Sequence, residues 1–478
     1  MAVTLDLDDI QGLFARGYGQ LRAARFTLFA ADDQAAAGGL LSWLLPRVTT
    51  AGAFSGDAAW QVAYTAAGLR RLGLPQATVG GFSAEFVAGM AEPNRSRFLG
   101  DVEESAPSHW AWGGPQSPPI DGMVLLYAAH QAALQRLQTE LCGQLDALGV
   151  HCVAELDTLD LLGTEPFGFR DGISQPVVDG LPKAAAAERV VPAGEFVLGY
   201  PNAYQQRTDP LLLPPSEDPG RLLPPAPDGS GNADLGRNGS YLVVRQLAQD
   251  VEGFRRFTAD ATRRPDGSAN EEDRVALAAK MVGRWPSGAP LVKAPDRDDP
   301  RLGTDNDFGY HHPDPLGLAC PLGAHVRRVN PRDSLDPRPG TDASLDVNDR
   351  HRLLRRGRSY GPGSTDGADS GNGETGLHFM CLAGNLSRQF EFVQHSWLNN
   401  PTFRGLYDDT DPIVGGRHSS GGGTFTAPAR PVRRRYRDLP QFVRTRGGGY
   451  FFLPGIAALR YLAQLPGADV ANPPTVTR

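Results

Sequence analysis

Cysteine is scarce in this chain and widely spaced. Cys142, Cys152, Cys320 and Cys381 form no CxxC pair, which argues against structural zinc and iron–sulfur clusters. A basic surplus is also missing. Lys and Arg total 47 against 54 Asp and Glu, for a net charge of −7, so nothing in the composition points to nucleic acid or an anionic membrane as a partner. No apolar run reaches the length of a membrane span. The opening stretch MAVTLDLDDIQG is acidic and lacks an apolar signal core and a twin-arginine pair. The expectation is a cytoplasmic protein.

What is present is ordinary globular composition. The chain has 478 residues, 40% hydrophobic and 21% charged, enough for two or more domains with a sizeable core. Ala24–Phe29 reads as a strand and Gln34–Leu45 as a helix with its leucines on one stripe. Trp60–Leu74 reads as a strand running into a helix that ends at Gly73. Met123–Tyr127 is a short apolar strand, His130–Leu148 an amphipathic helix stopped by Gly149, and Val153–Leu159 another strand. Strand–helix–strand–strand–helix–strand is the order of a ferredoxin-like unit. Residues 200–240 break the pattern with Pro, Gly and Asp, and read as a long connecting loop. Alternation then resumes. Tyr241–Leu247, Leu377–Leu382 and Tyr450–Leu453 are strands; Val251–Phe257, Glu271–Val282 and Ile456–Ala463 are helices. Gly361–Gly376 reads as a mobile surface loop. The domain expectation is therefore 1–199, a connecting loop 200–240, and 241–478, in the α+β class.

Three stretches could carry chemistry. EPFGFRDGISQPVVDG, Glu165–Gly180, places Asp171 between glycines and behind Phe167 and Phe169. Gly168 and Gly172 allow a tight, shaped turn. A carboxylate there could occupy a partly desolvated pocket and exchange a proton, although Asp-Gly alone more often marks a surface turn. CPLGAHVRRVNPRD, Cys320–Asp333, sets His325 behind small residues that let a flat cofactor approach the backbone. Arginines follow that suit bidentate carboxylate contacts. Read alone, it is equally an ordinary histidine beside a basic run. In HRLLRRGRSYGPG, alternation could turn one of Arg355 and Arg356 to a pocket and the other to solvent. Farther on, Leu377 and Phe379 alternate on one strand face. Glu391, between Phe390 and Phe392, needs a partner.

GFRDGISQP resembles the GxxDG signature of the dye-decolorising peroxidases, and the His325 string is similar to that family's proximal-histidine segment. DIQG (9–12), GEFVLGY (194–200), NGSYLVVRQL (238–247), GRWPSGAPL (283–291), NDFGY (306–310) and GGGYFFLPG (447–455) add to the likeness in order. The pattern looks most like the longer-chain branch. The resemblance implies two ferredoxin-like modules whose antiparallel sheets sandwich haem b, with helices outside. With no CxxCH in the chain, the haem would be non-covalent. It implies a peroxidase that reduces hydrogen peroxide to water and oxidises dyes, phenols or other organic electron donors through a ferryl porphyrin radical. The alternative is a haem-binding or haem-iron-handling protein with incidental peroxidase activity. By resemblance His325 is the iron ligand, Asp171 the distal acid–base group and Arg355 the distal arginine. Arg332 matches the propionate-binding arginine, and Leu377 and Phe379 match the distal wall. Glu391 matches the acid that accepts the His325 Nδ1 proton. Trp397 and Tyr360 are guesses for surface electron relays.

Overall fold

A computed structural model of the chain describes residues 3–160, 163–182, 189–362, 373–417 and 422–465. The first half runs Ala23–Ala31 (β1), Gln34–Leu44 (α1), Ala58–Tyr64 (β2), Gly122–Ala128 (β3), Gln131–Leu148 (α2) and Val150–Asp157 (β4). The strands pair antiparallel in the order β4-β1-β3-β2, as a ferredoxin-like unit requires. The boundaries of α2 follow from its ends. His130 Nδ1 accepts from the Ala133 N–H at 3.2 Å, and Gly149 takes a left-handed φ of 71° that a side chain would resist.

The second half repeats the order. Its elements are Ser240–Gln249 (β5), Val251–Asp260 (α3), Glu271–Val282 (α4), His325–Val329 (α5), Leu354–Arg355 (β6), Arg358–Tyr360 (β7) and Gly376–Ala383 (β8). Gly423–Ala427 (β9), Arg434–Leu439 (β10), Val443–Leu453 (β11) and Ile456–Leu462 (α6) complete it. Here the sheet order is β6-β8-β5-β11. A π-helical stretch, Ser387–Glu391 and Val393–Leu398, fills the helical place between β8 and β11. Residues 200–240 contain only the two-residue strand pair Leu212–Leu213 and Ala233–Asp234. The loop expected at 361–376 falls largely on 363–372, outside the described residues.

The modules stand side by side. Phe452 of β11 pairs with Tyr64 of β2, and this contact fuses the two sheets edge to edge into one of nine strands. The α+β class and the two ferredoxin-like modules with antiparallel sheets are as expected. A cavity lies between β5, β8 and β11 on one wall and α5 with Val393–Leu398 on the other, and Leu99, Asp101 and Ser105 of the first half also line it.

Strand alternation then sorts β8. Leu377 and Phe379 line the cavity, while His378 turns to the opposite face and is 1% exposed. Its Nε2 lies 2.9 Å from the Asp157 carbonyl, and its ring stacks on Tyr360. Burial lowers its pKa from 6.5 to about 4, against the raising effect of that hydrogen bond. The folded state thus binds this proton less readily than the unfolded chain. The sign follows: stability is lost as pH falls from about 6.5 toward 4. We expect His378→Gln to flatten the decline in denaturation midpoint between pH 7 and pH 5, by about 2 kcal/mol. Equal slopes in the two proteins would contradict this.

Candidate active site

The cavity has an apolar lining that includes Leu353, Leu377, Phe379, Phe390 and Val443. Polar groups enter it from both walls. His325 opens α5, and its side chain is 28% exposed and faces the cavity. Its Nδ1 lies 3.0 Å from Asp411 Oδ2. Asp411 is an ionised acceptor here, so Nδ1 carries the proton and donates it. Nε2 is left free toward the cavity. Asp411 is itself locked, because Oδ1 accepts from the Ile413 and Val414 N–H groups, both at 2.8 Å. Burial alone would raise its pKa. The His325 ring, then Arg328 and the Val414 N–H, outweigh burial and hold the carboxyl below its usual value.

Glu391 is not the partner of His325, and that expectation is corrected. Its carboxylate is 3% exposed and is taken by Arg95 Nη1, at 2.9 and 2.8 Å, and by the Tyr450 hydroxyl at 2.8 Å. The π-helical winding of Ser387–Glu391 points it at β11 rather than at α5. Asp411 was legible only as a local signal. An Asp followed by Pro412 and Ile413 is a pattern in which the carboxylate caps its own turn.

On the opposite wall, Arg355 lines the cavity beside Leu377 and Phe379. Its Nη2 donates to the Ile173 carbonyl at 2.6 Å, and its N–H donates to Gln175 Oε1 at 3.1 Å. The GFRDGISQ stretch is thereby tied to β6. Arg356 points away, as alternation requires, but not into solvent. It donates to the Leu13 and Phe14 carbonyls, and burial lowers its pKa to about 10.

The carboxylate of that stretch is placed differently from expectation. Asp171 is exposed, does not line the cavity, and accepts from the Gly172 N–H at 2.6 Å. Gly168 and Gly172 take φ of 95° and 80°, and these left-handed steps carry the turn to the surface. Half-buried Glu165 fixes the turn's root by accepting from the Phe167 and Phe169 N–H groups. Arg332 also lies off the cavity lining. It donates to the Asn306 and Phe308 carbonyls, both at 2.9 Å. Its Nε is buried without a partner, a free donor suited to an anion. Its own φ is 55°, an uncommon state for a residue with a Cβ. Trp397 and Tyr360, guessed as surface relays, are 6% and 8% exposed and so are interior. Sequence reasoning missed a polar group at the cavity's other end, where buried Asp101, Arg245 and Thr445 hydrogen-bond to one another.

The donor set fits haem b. One imidazole nitrogen is free, its ring is held by a buried carboxylate, and an arginine faces it across a largely apolar space. Comparison with known proteins agrees. A family profile described as "Dyp-type peroxidase, C-terminal" matches residues 227–431. Peroxidase 2 of Mycetinis scorodonius is 30% identical over 96% of this chain and 88% of its own length. The chain belongs to the dye-decolorising peroxidase family. The dye-decolorizing peroxidase of Mycena epipterygia is 32% identical over 96% and 87% of the two chains. The crystal structure of a fungal DyP-type peroxidase from Auricularia auricula-judae superposes with a TM-score of 0.76 at 27% identity, covering 96% of this chain and all of that one. A deferrochelatase of Yersinia pestis matches only 47% of this chain and 35% of its own, so iron release from haem is the less favoured reading. This peroxidase is therefore a haem b enzyme that takes hydrogen peroxide and organic electron donors.

A redox titration tests the Asp411 assignment. Asp411→Asn is expected to raise the iron reduction potential and weaken haem affinity about 10–100-fold, because the imidazole loses anionic character. Glu391→Gln is expected to leave the potential unchanged. The reverse pattern would restore Glu391.

Proposed function

We propose that His325 Nε2 would hold the iron of a bound haem and that Asp411 orients the ring. Arg355 serves the opposite face and Arg332 Nε receives a propionate. The observation that carries this reading is the cavity with His325, backed by Asp411, on one wall and Arg355 on the other. Bound haem supplies the electrons that split the peroxide O–O bond and takes them back from donors. The protein does the rest. Leu377 and Phe379 exclude water, so that the Arg355 guanidinium meets developing negative charge in a low-dielectric space. Arg355 stays protonated and cannot act as a base. The proton must pass through another group. Asp171, two residues before the carbonyl that Arg355 holds, would be the group that accepts this proton and gives it back. The donors are dyes and phenols. Bulky donors are oxidised at the surface, because the cavity walls admit only small molecules beside the cofactor.

Titration of the protein with haem tests this reading. Stoichiometric binding with a Soret band and a histidine-ligated ferric spectrum is expected. Absence of the band would remove the proposal.

A further inference from the structure

Glu391, released from the role at His325, has an arrangement that packing alone does not require. The Tyr450 hydroxyl donates to its Oε1 at 2.8 Å. Arg95 Nη1 holds both carboxylate oxygens, and Arg95 Nη2 lies 3.7 Å from Glu85. Tyr450 is 3% exposed, and its ring meets that of Phe390 edge-on, with centroids 6.2 Å apart. Phe390 lines the cavity. A single aromatic ring therefore separates a buried, carboxylate-bound phenol from the space assigned to haem.

We propose that Tyr450 is a redox-active tyrosine of this peroxidase, with Glu391 as its built-in proton acceptor. The inference rests on the haem reading of the cavity. In the step, Tyr450 gives one electron to the cofactor that peroxide has oxidised. The O–H bond breaks and its proton forms a bond to Glu391 Oε1. The products are a neutral tyrosyl radical, a neutral glutamic acid and a cofactor holding one oxidising equivalent fewer. A donor later returns the electron, and the proton goes back from Glu391 to the phenol oxygen.

The charges favour this transfer. Before it, the cluster holds the carboxylates of Glu391 and Glu85 around one guanidinium, an excess of one negative charge. Afterwards Arg95 and Glu85 remain as a neutral pair, and a buried site loses a net charge. Arg95 is 21% exposed and Glu85 15%, so the cluster reaches solvent on that side. Without an acceptor the electron could not leave cheaply. Burial, followed by the Glu391 charge and hydrogen bond, pushes the Tyr450 phenol well above its usual pKa, so no phenolate is available beforehand. Other buried tyrosines lack the combination. The hydroxyls of Tyr64 and Tyr127 have no hydrogen-bond partner among the described residues. Tyr360 donates to Glu374 at 3.0 Å, but it stacks on His378, on the strand face turned away from the cavity.

Electron paramagnetic resonance after rapid mixing of the haem-loaded enzyme with peroxide, without donor, tests the proposal. The wild type should show a radical whose spectrum narrows when ring-deuterated tyrosine is incorporated. Tyr450→Phe should lose that signal while retaining haem stoichiometry and the peroxide-induced change in the Soret band. Glu391→Gln, which keeps the phenol but removes the proton acceptor, should lose most of it. Tyr360→Phe should keep it. A signal that survives in Tyr450→Phe, or that vanishes in Tyr360→Phe instead, overturns the inference and leaves the haem reading standing. A protein that binds no haem, or whose haem ignores peroxide, overturns both.

Discussion

His325→Ala is expected to bind haem weakly and to turn over no peroxide. Among the described residues, no other histidine lines the cavity. His378 is committed to the Asp157 carbonyl on the far side of β8. His395 stacks on Phe98 and approaches the Phe98 carbonyl with Nδ1. Removing the ring also strands Asp411, whose carboxylate is buried at 0% side-chain exposure. Oδ1 keeps the Ile413 and Val414 N–H groups, but a buried carboxylate that loses its ion-pair partner costs several kcal/mol or takes up a proton. We therefore expect a lower melting temperature in the apoprotein as well, measurable without cofactor. Adding Asp411→Asn to His325→Ala should restore part of that stability, because the charge is gone. Haem bound at full occupancy in His325→Ala, with an unchanged ferric spectrum, would remove His325 as ligand.

Much of this architecture was readable from periodicity. Glu271–Val282 has the expected bounds, and α2 differs from expectation by one residue at its start. Those segments carry their own signals: a capping Asn270 or His130, a terminal glycine and an apolar stripe. The hairpin β9–β10 was missed because Arg434–Leu439, RRYRDL, is exposed along most of its length and offers no alternation to read. The sequence singled out His325 and Arg355, and both line the cavity. It failed where two similar residues compete for one partner. Glu391 and Asp411 are both carboxylates beside apolar residues. Which one reaches His325 depends on the π-helical turn at Ser387–Glu391, a tertiary accommodation without a sequence period. The placement of Asp171 was not legible for a related reason. The glycines that shape its turn do not say whether the turn faces inward or outward.

Arg355→Leu and Asp171→Asn should both slow the first reaction with peroxide. Loss of an acid–base group costs on the order of 10²–10⁴-fold, and loss of a charge-stabilising donor costs about 10²–10³-fold. Size alone does not separate them, but pH dependence does. Asp171→Asn should erase a carboxylate titration from the rate, whereas Arg355→Leu should keep it, because the arginine never changes protonation in the working range. The structure sharpens this test. Asp171 is exposed and caps Gly172, whereas Arg355 already lines the cavity. If Asp171→Asn reacts as fast as wild type at every pH while Arg355→Leu does not, Arg355 carries the step. Another group, with buried Asp101 on the cavity lining the first to examine, would then move the proton.

The central claim is that the cavity between His325 and Arg355 holds haem that reacts with peroxide. The most direct measurement mixes haem-loaded wild-type protein with equimolar hydrogen peroxide in a stopped-flow spectrometer and then adds a phenolic donor. The account predicts a rapid change in the Soret band, followed by return of the resting spectrum as the donor supplies two electrons. A Soret band that stays unchanged by peroxide, or that bleaches with release of iron and no donor oxidation, would contradict it.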